Sequence, residues 1–200
     1  MSDLAQYDCA AGSSFGFPVC GIDEAGRGPL AGDVYAAAVV LPPDCIIDGL
    51  NDSKKLTAKK RESLYDIICE KALSFCIQSA SVQEIEQHNI LGASMLAMRR
   101  AYDGLDLTPA LILLDGNQLT GFEKLTARAV VGGDALSQSI AAASVLAKVA
   151  RDRVMVAAHE MYPQYGFKQH KGYGTAQHIA AIRAYGPCPL HRALFVRKFI

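Results

Sequence analysis

Three apolar runs in this sequence stop on acids: "GIDEAG" at Asp23 and Glu24, "LILLDG" at Asp115, and "VVGGD" at Asp134. A carboxylate at the end of an apolar run is costly to bury alone. Several brought together repel strongly in a poorly solvated cleft. A divalent cation relieves that repulsion, and an all-oxygen set suits Mg²⁺ or Mn²⁺ rather than zinc. Two such ions about 4 Å apart clamp a phosphodiester for in-line displacement, one activating water and the other stabilising the leaving oxygen. Each acid alone also has a plain structural role: Asp134 could cap a helix, and Asp115 before Gly116 could serve a turn. The combination points to a metal site, because Asp23-Glu24 lies between an apolar run and a tight turn.

That turn is Gly26-Arg27-Gly28. Its glycine spacing is not a dinucleotide fingerprint, and no Gly-Lys-Ser/Thr follows to make a phosphate loop. An ordinary hairpin uses such glycines too. Beside metal-binding acids, though, they let a polynucleotide backbone approach main-chain N–H groups. A ribose 2′-hydroxyl could pair there, and that group distinguishes RNA from DNA. In "HKGYGT", Tyr173 sits between two glycines on what reads as a mobile loop, where a ring can stack on a sugar or base. Lys54, Lys55, Lys168 and Lys171 are candidate phosphate contacts.

The elements that must position these residues follow from hydropathy. "PVCGID" (18–23) and "DVYAAAVVL" (33–41) read as strands joined by the glycine turn. "LSFCIQSASV" alternates as a third, while "ALILLDG" and "ARAVVGGD" read as short strands covered on both faces. Helices are expected through "ESLYDIICEKA", over "SVQEIEQHNILGASMLAMRRAYDGL" with a break near Gly92, along "SQSIAAASVLAKVARDRVMVAAHEMY", and over "AQHIAAIRAYG". Ala141 to Ser144 would let the third of these lie unusually close to the sheet. Three early strands followed by alternating helix and strand favour an α/β layer with a mixed sheet: an antiparallel meander, then parallel crossovers. Residues 1–17 read as a loose leader, residues 18–160 as the catalytic domain, and residues 161–200 as a basic helical portion on the same domain.

The chain has 200 residues, half of them hydrophobic, and zero formal net charge. Its charge is segregated. Residues 161–200 contain no acid and carry six bases (Lys168, Lys171, Arg183, Arg192, Arg197, Lys198), which suggests a basic surface facing an anionic partner. The six cysteines form no C-x-x-C pair, so neither a zinc knuckle nor a redox motif is expected. No signal peptide and no membrane span are legible. A cytoplasmic protein with reduced thiols is the expectation.

"GIDEAGRGPLAG", "LNDSKKLT", "LLDGN", "GGD…SIAAASVLAKVARDR" and "YPQYGFKQHKGYGT" resemble, in order and rough spacing, bacterial type 2 ribonuclease H (ribonuclease HII) over about residues 18–195. The resemblance implies a ribonuclease H-like fold: a five-stranded mixed sheet flanked by helices, with a small helical C-terminal portion. It implies endonucleolytic cleavage of RNA–DNA hybrids and of duplex DNA holding single ribonucleotides, cut on their 5′ side to leave a 3′-hydroxyl and a 5′-phosphate. The family's metal-site acids fall on Asp23, Glu24, Asp115 and Asp134, with Mg²⁺ or Mn²⁺ as cofactor and two ions during catalysis. Its glycine-arginine-glycine motif falls on Gly26, Arg27 and Gly28, and its junction-sensing tyrosine on Tyr173. Its lysine pair falls on Lys54 and Lys55, near the nucleic-acid backbone; Lys171, beside the tyrosine, is a substrate contact on its own reading as a phosphate contact. A monomer without membrane contact is expected. Some relatives bind a sliding clamp through a tail, to which no residue of "PCPLHRALFVRKFI" is assigned here. The competing readings are another metal-dependent nuclease of this fold, such as a junction resolvase, and a non-catalytic nucleic-acid-binding module.

Overall fold

The computed structural model describes residues 3–200. Strands β1 (Val19–Ala25), β2 (Val34–Val40), β3 (Ser74–Ala80), β4 (Leu111–Asp115) and β5 (Ala127–Val130) form one sheet in the order β3-β2-β1-β4-β5. β1–β2 and β2–β3 are antiparallel, and β1–β4 and β4–β5 are parallel. The expected meander and crossovers are therefore both present. The parallel join between β1 and β4 needs a long crossover, which includes α3 (Val82–Asp103) on one face of the sheet. The other face is covered by α2 (Ala58–Lys71) and α4 (Gln138–Met161). Alternate strand residues feed the two faces. Ile22, Val40 and Leu114 pack towards Met95 and Met98 of α3, while Ala37 and Val39 pack towards Leu64, Ile68, Val145 and Leu146.

The close approach expected of α4 is real. A Cβ on Gly21 of β1 would run into the backbone of Ser139 and Ile140, and Ala141, Ala142 and Ala143 are fully buried. Small residues on both sides bring the start of α4 down onto β1 at Gly21.

Two expectations are corrected. Residues 1–17 are not a loose leader among the described positions: Asp3–Phe15 form α1, with Ala5 and Gly12 buried. Asp8 Oδ2 accepts from Ser139 N at 2.8 Å, so α1 is tied to the first turn of α4. The break in α3 falls at Asn89 rather than Gly92. Asn89 adopts φ 57°, and its Oδ1 accepts from Leu91 N at 2.9 Å and Gly92 N at 3.2 Å. Asparagine tolerates positive φ and caps the helix that resumes after it.

The chain ends in α5 (Phe167–His170), α6 (Ala176–Tyr185) and α7 (Ala193–Val196), gathered on Met155 of α4 around Tyr165, Phe167, Ile182 and Val196. Among the described residues, no helix is long and apolar enough to cross a membrane.

Candidate active site

Ile22 of β1 pairs with Leu114 of β4, so the acids that follow each leave the sheet side by side. This is the carboxyl end of a parallel pair, where open α/β sheets collect ligands. Across the β1–β2 ladder Asp23 faces Ala37 and Glu24 faces Ala36, so no bulky neighbour crowds either carboxylate. A cavity of about 380 Å³ opens there, lined by Asp23, Glu24, Gly26, Arg27, Gly28, Lys54, Asp115, Ser144, Lys148 and Tyr173, among others. Three of the four sequence-predicted acids and the whole glycine turn therefore share one space with the tyrosine.

The acids are held in a state of mutual repulsion. Burial pushes the Asp23 carboxyl well above the ordinary carboxylate range, and the charges of Glu24 and Asp115 add to it. The Glu24 N–H donates to Asp23 Oδ1 at 2.7 Å, a partial compensation. Burial also raises Glu24, with Arg27 opposing and Asp115 reinforcing the shift. Asp115 Oδ1 accepts from Gly133 N at 2.7 Å, which tethers the end of β4 to the turn carrying Asp134. Asp134 is buried and does not line the cavity. Its carboxyl is raised by burial and then by Asp115, and its Oδ2 lies 3.5 Å from the Lys54 ammonium. Lys54, despite some burial cost, is held charged by Asp134, Asp23 and Asp52.

A divalent ion suits this donor set. The side chains are hard oxygen ligands, and the field that raises their proton affinity is the one a cation relieves. Among the described residues no group of three His, Cys, Asp or Glu side chains stands ready to hold a metal as placed. The Lys54 ammonium supplies the positive charge instead.

The glycine turn and Tyr173 are built more tightly. Gly26 has φ 105°, and a Cβ there would meet the Arg151 side chain. A Cβ on Gly28 would lie 3.9 Å from Tyr173 Cε1, so the turn and the ring face each other across a narrow gap. Tyr173 is 41% exposed. Lys148 Nζ stands 5.4 Å and Arg151 Cζ 5.9 Å from its ring centroid, in cation–π range. Lys55 is exposed and contributes nothing to the cavity lining, as is Lys168. Lys171 does not line this cavity. Its ammonium donates to Lys168 O at 2.6 Å and it lines a neighbouring cavity of about 690 Å³.

Sequence reasoning missed three arginines. Arg151 is 1% exposed and donates to the carbonyls of Asp33, Lys171 and Ala31. Arg192, counted with the surface charges of the C-terminal portion, is fully buried. It donates to Gly26 O, Arg27 O, Pro29 O and Gly32 O, clasping the glycine turn from beneath. Burial, followed by the charge of Arg151, lowers its pKa to about 9. Arg61 donates to Ser53 O at 2.8 Å and Leu56 O at 2.6 Å, fixing the short turn that carries Lys54. A guanidinium has five donors in a rigid fork, which suits it to collecting loop carbonyls. In a sequence these residues look like any exposed base.

Comparison with known proteins gives a consistent picture. A family model described as "Ribonuclease HII" matches residues 20–198. The chain is 56% identical over 194 residues to a ribonuclease HII of Burkholderia lata, covering 96% of this chain and 90% of that one. Its fold is similar to the ribonuclease H2 of Pyrococcus horikoshii, with a TM-score of 0.76 at 26% identity over 90% of this chain and 96% of that one. It is also similar to the ribonuclease HII of Archaeoglobus fulgidus solved in complex with PCNA, with a TM-score of 0.70 at 23% identity over 88% of this chain and 92% of that one.

Proposed function

We infer the substrate from one premise: this chain belongs to the ribonuclease HII family. It is a ribonuclease H of type 2, an endoribonuclease. We propose that it cleaves RNA–DNA hybrids and duplex DNA carrying single ribonucleotides, on the 5′ side of the ribonucleotide, leaving a 3′-hydroxyl and a 5′-phosphate. One observation carries this reading: the Gly26–Gly28 turn and Tyr173 line the same cavity as Asp23, Glu24 and Asp115. A nucleotide whose ribose sits between glycine turn and tyrosine has its phosphate beside the acids.

Asp23, Glu24, Asp115 and Asp134 would hold two Mg²⁺ or Mn²⁺ ions. Bound there, such ions supply an activated water and neutralise charge on the leaving oxygen. The chain's own contribution is positioning, which in well-oriented reactions is worth about 7–11 kcal/mol of barrier. At the exposed end of the turn, Gly28 has no side chain of its own to keep a 2′-hydroxyl from the main chain. The Tyr173 ring, steadied by Lys148 and Arg151, supports the sugar. Arg27 and Lys54 lie at the cavity wall with exposed side chains and take the phosphate. The six cysteines are all free, in keeping with work in the cytoplasm.

The test is a duplex with one embedded ribonucleotide, incubated with the protein and Mg²⁺ or Mn²⁺. The expected product is a single nick 5′ of the ribonucleotide. An intact ribonucleotide duplex, or equal cutting of all-DNA duplex, would overturn the proposal. Cutting of a four-way junction instead would make the chain a resolvase.

A further inference from the structure

Two consecutive residues near the C-terminus reach both halves of the ribose-gripping gap. Arg192 N donates to Leu30 O at 2.9 Å and Gly32 N to Leu190 O at 2.8 Å, so residues 190–192 pair alongside residues 30–32. From this ladder Arg192 turns towards the carbonyls of the glycine turn. His191 turns the other way. Its Nε2 lies 3.0 Å from His178 Nε2, and His178 Nδ1 lies 2.9 Å from Tyr173 O. His178 is fully buried and His191 nearly so.

The protons on this chain of contacts can be placed. The Cys188 amide can only donate, and it stands 2.9 Å from His191 Nδ1. That nitrogen therefore carries the lone pair, and a neutral ring has its proton on Nε2. His191 Nε2–H then donates to His178 Nε2, which leaves the His178 proton on Nδ1, donating to Tyr173 O. The longer 3.3 Å approach of His191 Nδ1 to Cys188 O is then not a hydrogen bond. The neighbouring His170 is fixed independently: Gly172 N–H donates to its Nδ1 at 3.2 Å, so its Nε2–H donates to Tyr165 O at 2.7 Å. A metal between the His178 and His191 Nε2 atoms would need two lone pairs where the backbone leaves one.

We propose that His191 and Arg192 are positioning residues for ribonucleotide specificity. Through His178, His191 fixes the main chain under Tyr173, while Arg192 fixes the main chain of Gly26 and Arg27. Together they set the gap that a 2′-hydroxyl must fit. This rests on the substrate reading given above. Contacts of surface lysines with phosphate do not pass through this brace, so affinity for duplex DNA as such is a separate quantity.

Two measurements test it. Long-range ¹⁵N–¹H correlation of the histidine rings at neutral pH should show His191 protonated on Nε2 and His178 on Nδ1. The opposite tautomer at either ring overturns the relay, whatever the enzyme cleaves. Fluorescence anisotropy in EDTA should then compare an all-DNA duplex with the same duplex holding one ribonucleotide. Wild type should prefer the ribonucleotide. His191→Leu should lose about five- to tenfold of that preference, the scale of one hydrogen bond, with all-DNA affinity unchanged. His191→Gln, which keeps an N–H donor, should retain most of it, and His178→Phe, which cuts the relay at its other end, should repeat the loss. Equal weakening on both duplexes would mean a merely structural role and overturn the proposal, as would an undiminished preference in His191→Leu and His178→Phe. Absence of any preference in wild type would remove the substrate reading and this inference together.

Discussion

The acid cluster and the glycine–tyrosine gap meet at one cavity, yet they are built on opposite principles. Around Asp23, Glu24, Asp115 and Asp134, burial and like charge raise proton affinities, and a lysine provides the balancing charge. Around Gly26 and Tyr173, buried guanidiniums donate to loop carbonyls and two imidazoles are hydrogen-bonded in series to the main chain. The first region is electrostatically incomplete, and in the proposed reading cations complete it. The second is complete before substrate arrives. The difference teaches which energies each region stores: the acids hold repulsion that a cation would release, and the gap holds a fixed geometry that the proposed reading uses to discriminate among sugars.

Cutting into the acid side should give the largest effect. Asp23→Asn should lower cleavage of a ribonucleotide-containing duplex by at least about a thousandfold, the scale of losing a principal electrostatic group, while duplex binding in EDTA persists. Single-turnover assays and anisotropy check both halves, and retained cleavage would remove Asp23 from the chemistry.

Cutting into the recognition side should act on stability first. Arg192→Met leaves the carbonyls of Gly26, Arg27 and Pro29 without their donor. The loss should be about 3–5 kcal/mol, because several buried carbonyls are left unsatisfied at about 1–3 kcal/mol each. At about 2–4 °C per kcal/mol for a chain of this size, differential scanning calorimetry should show a fall of about 6–20 °C. A shift within 2 °C would show that solvent replaces the clasp.

The smallest effect sharpens the contrast through pH. His178 has its pKa lowered to about 4 by burial, from an ordinary 6.5. Its neutral form supports the fold above pH 6.5, and that support drains away as pH falls towards 4. The raised Asp23 carboxyl works in the other direction, since the folded protein takes up a proton there as pH falls and loses a penalty. In metal-free protein, Asp23→Asn should therefore be more stable than wild type at neutral pH, and that margin should narrow on acidification. The histidine contribution is common to both proteins and cancels. Urea midpoints at several pH values in EDTA check this, and a margin independent of pH would contradict it.

Much of the acid side was legible because its signal is local. An apolar run ending on an acid reads the same in sequence and in space, and the strand order brought Ile22 and Leu114 into register. The recognition side was legible only in its contact residues, Gly26 to Gly28 and Tyr173. Its supports were hidden because they depend on tertiary burial. Arg151, Arg192 and Arg61 carry charge, so sequence places them on the surface, whereas the fold spends their donors on loop carbonyls. Helix α1 was hidden for a related reason: its small polar residues offer little apolar rhythm, and Asp8 finds Ser139 across 131 positions of chain. Asn89 took the kink assigned to Gly92 because its side chain can cap as well as accept positive φ.

The central claim is that the acids are a standing electrostatic penalty until cations bind. Thermal midpoints of wild type and Asp23→Asn, each measured at neutral pH in EDTA and then in Mn²⁺, test it most directly. Asp23→Asn should melt a few degrees above wild type in EDTA, given about 2–4 °C per kcal/mol, and Mn²⁺ should raise wild type more than the variant. A variant that melts below wild type in EDTA, or an equal response of both proteins to Mn²⁺, would contradict the account.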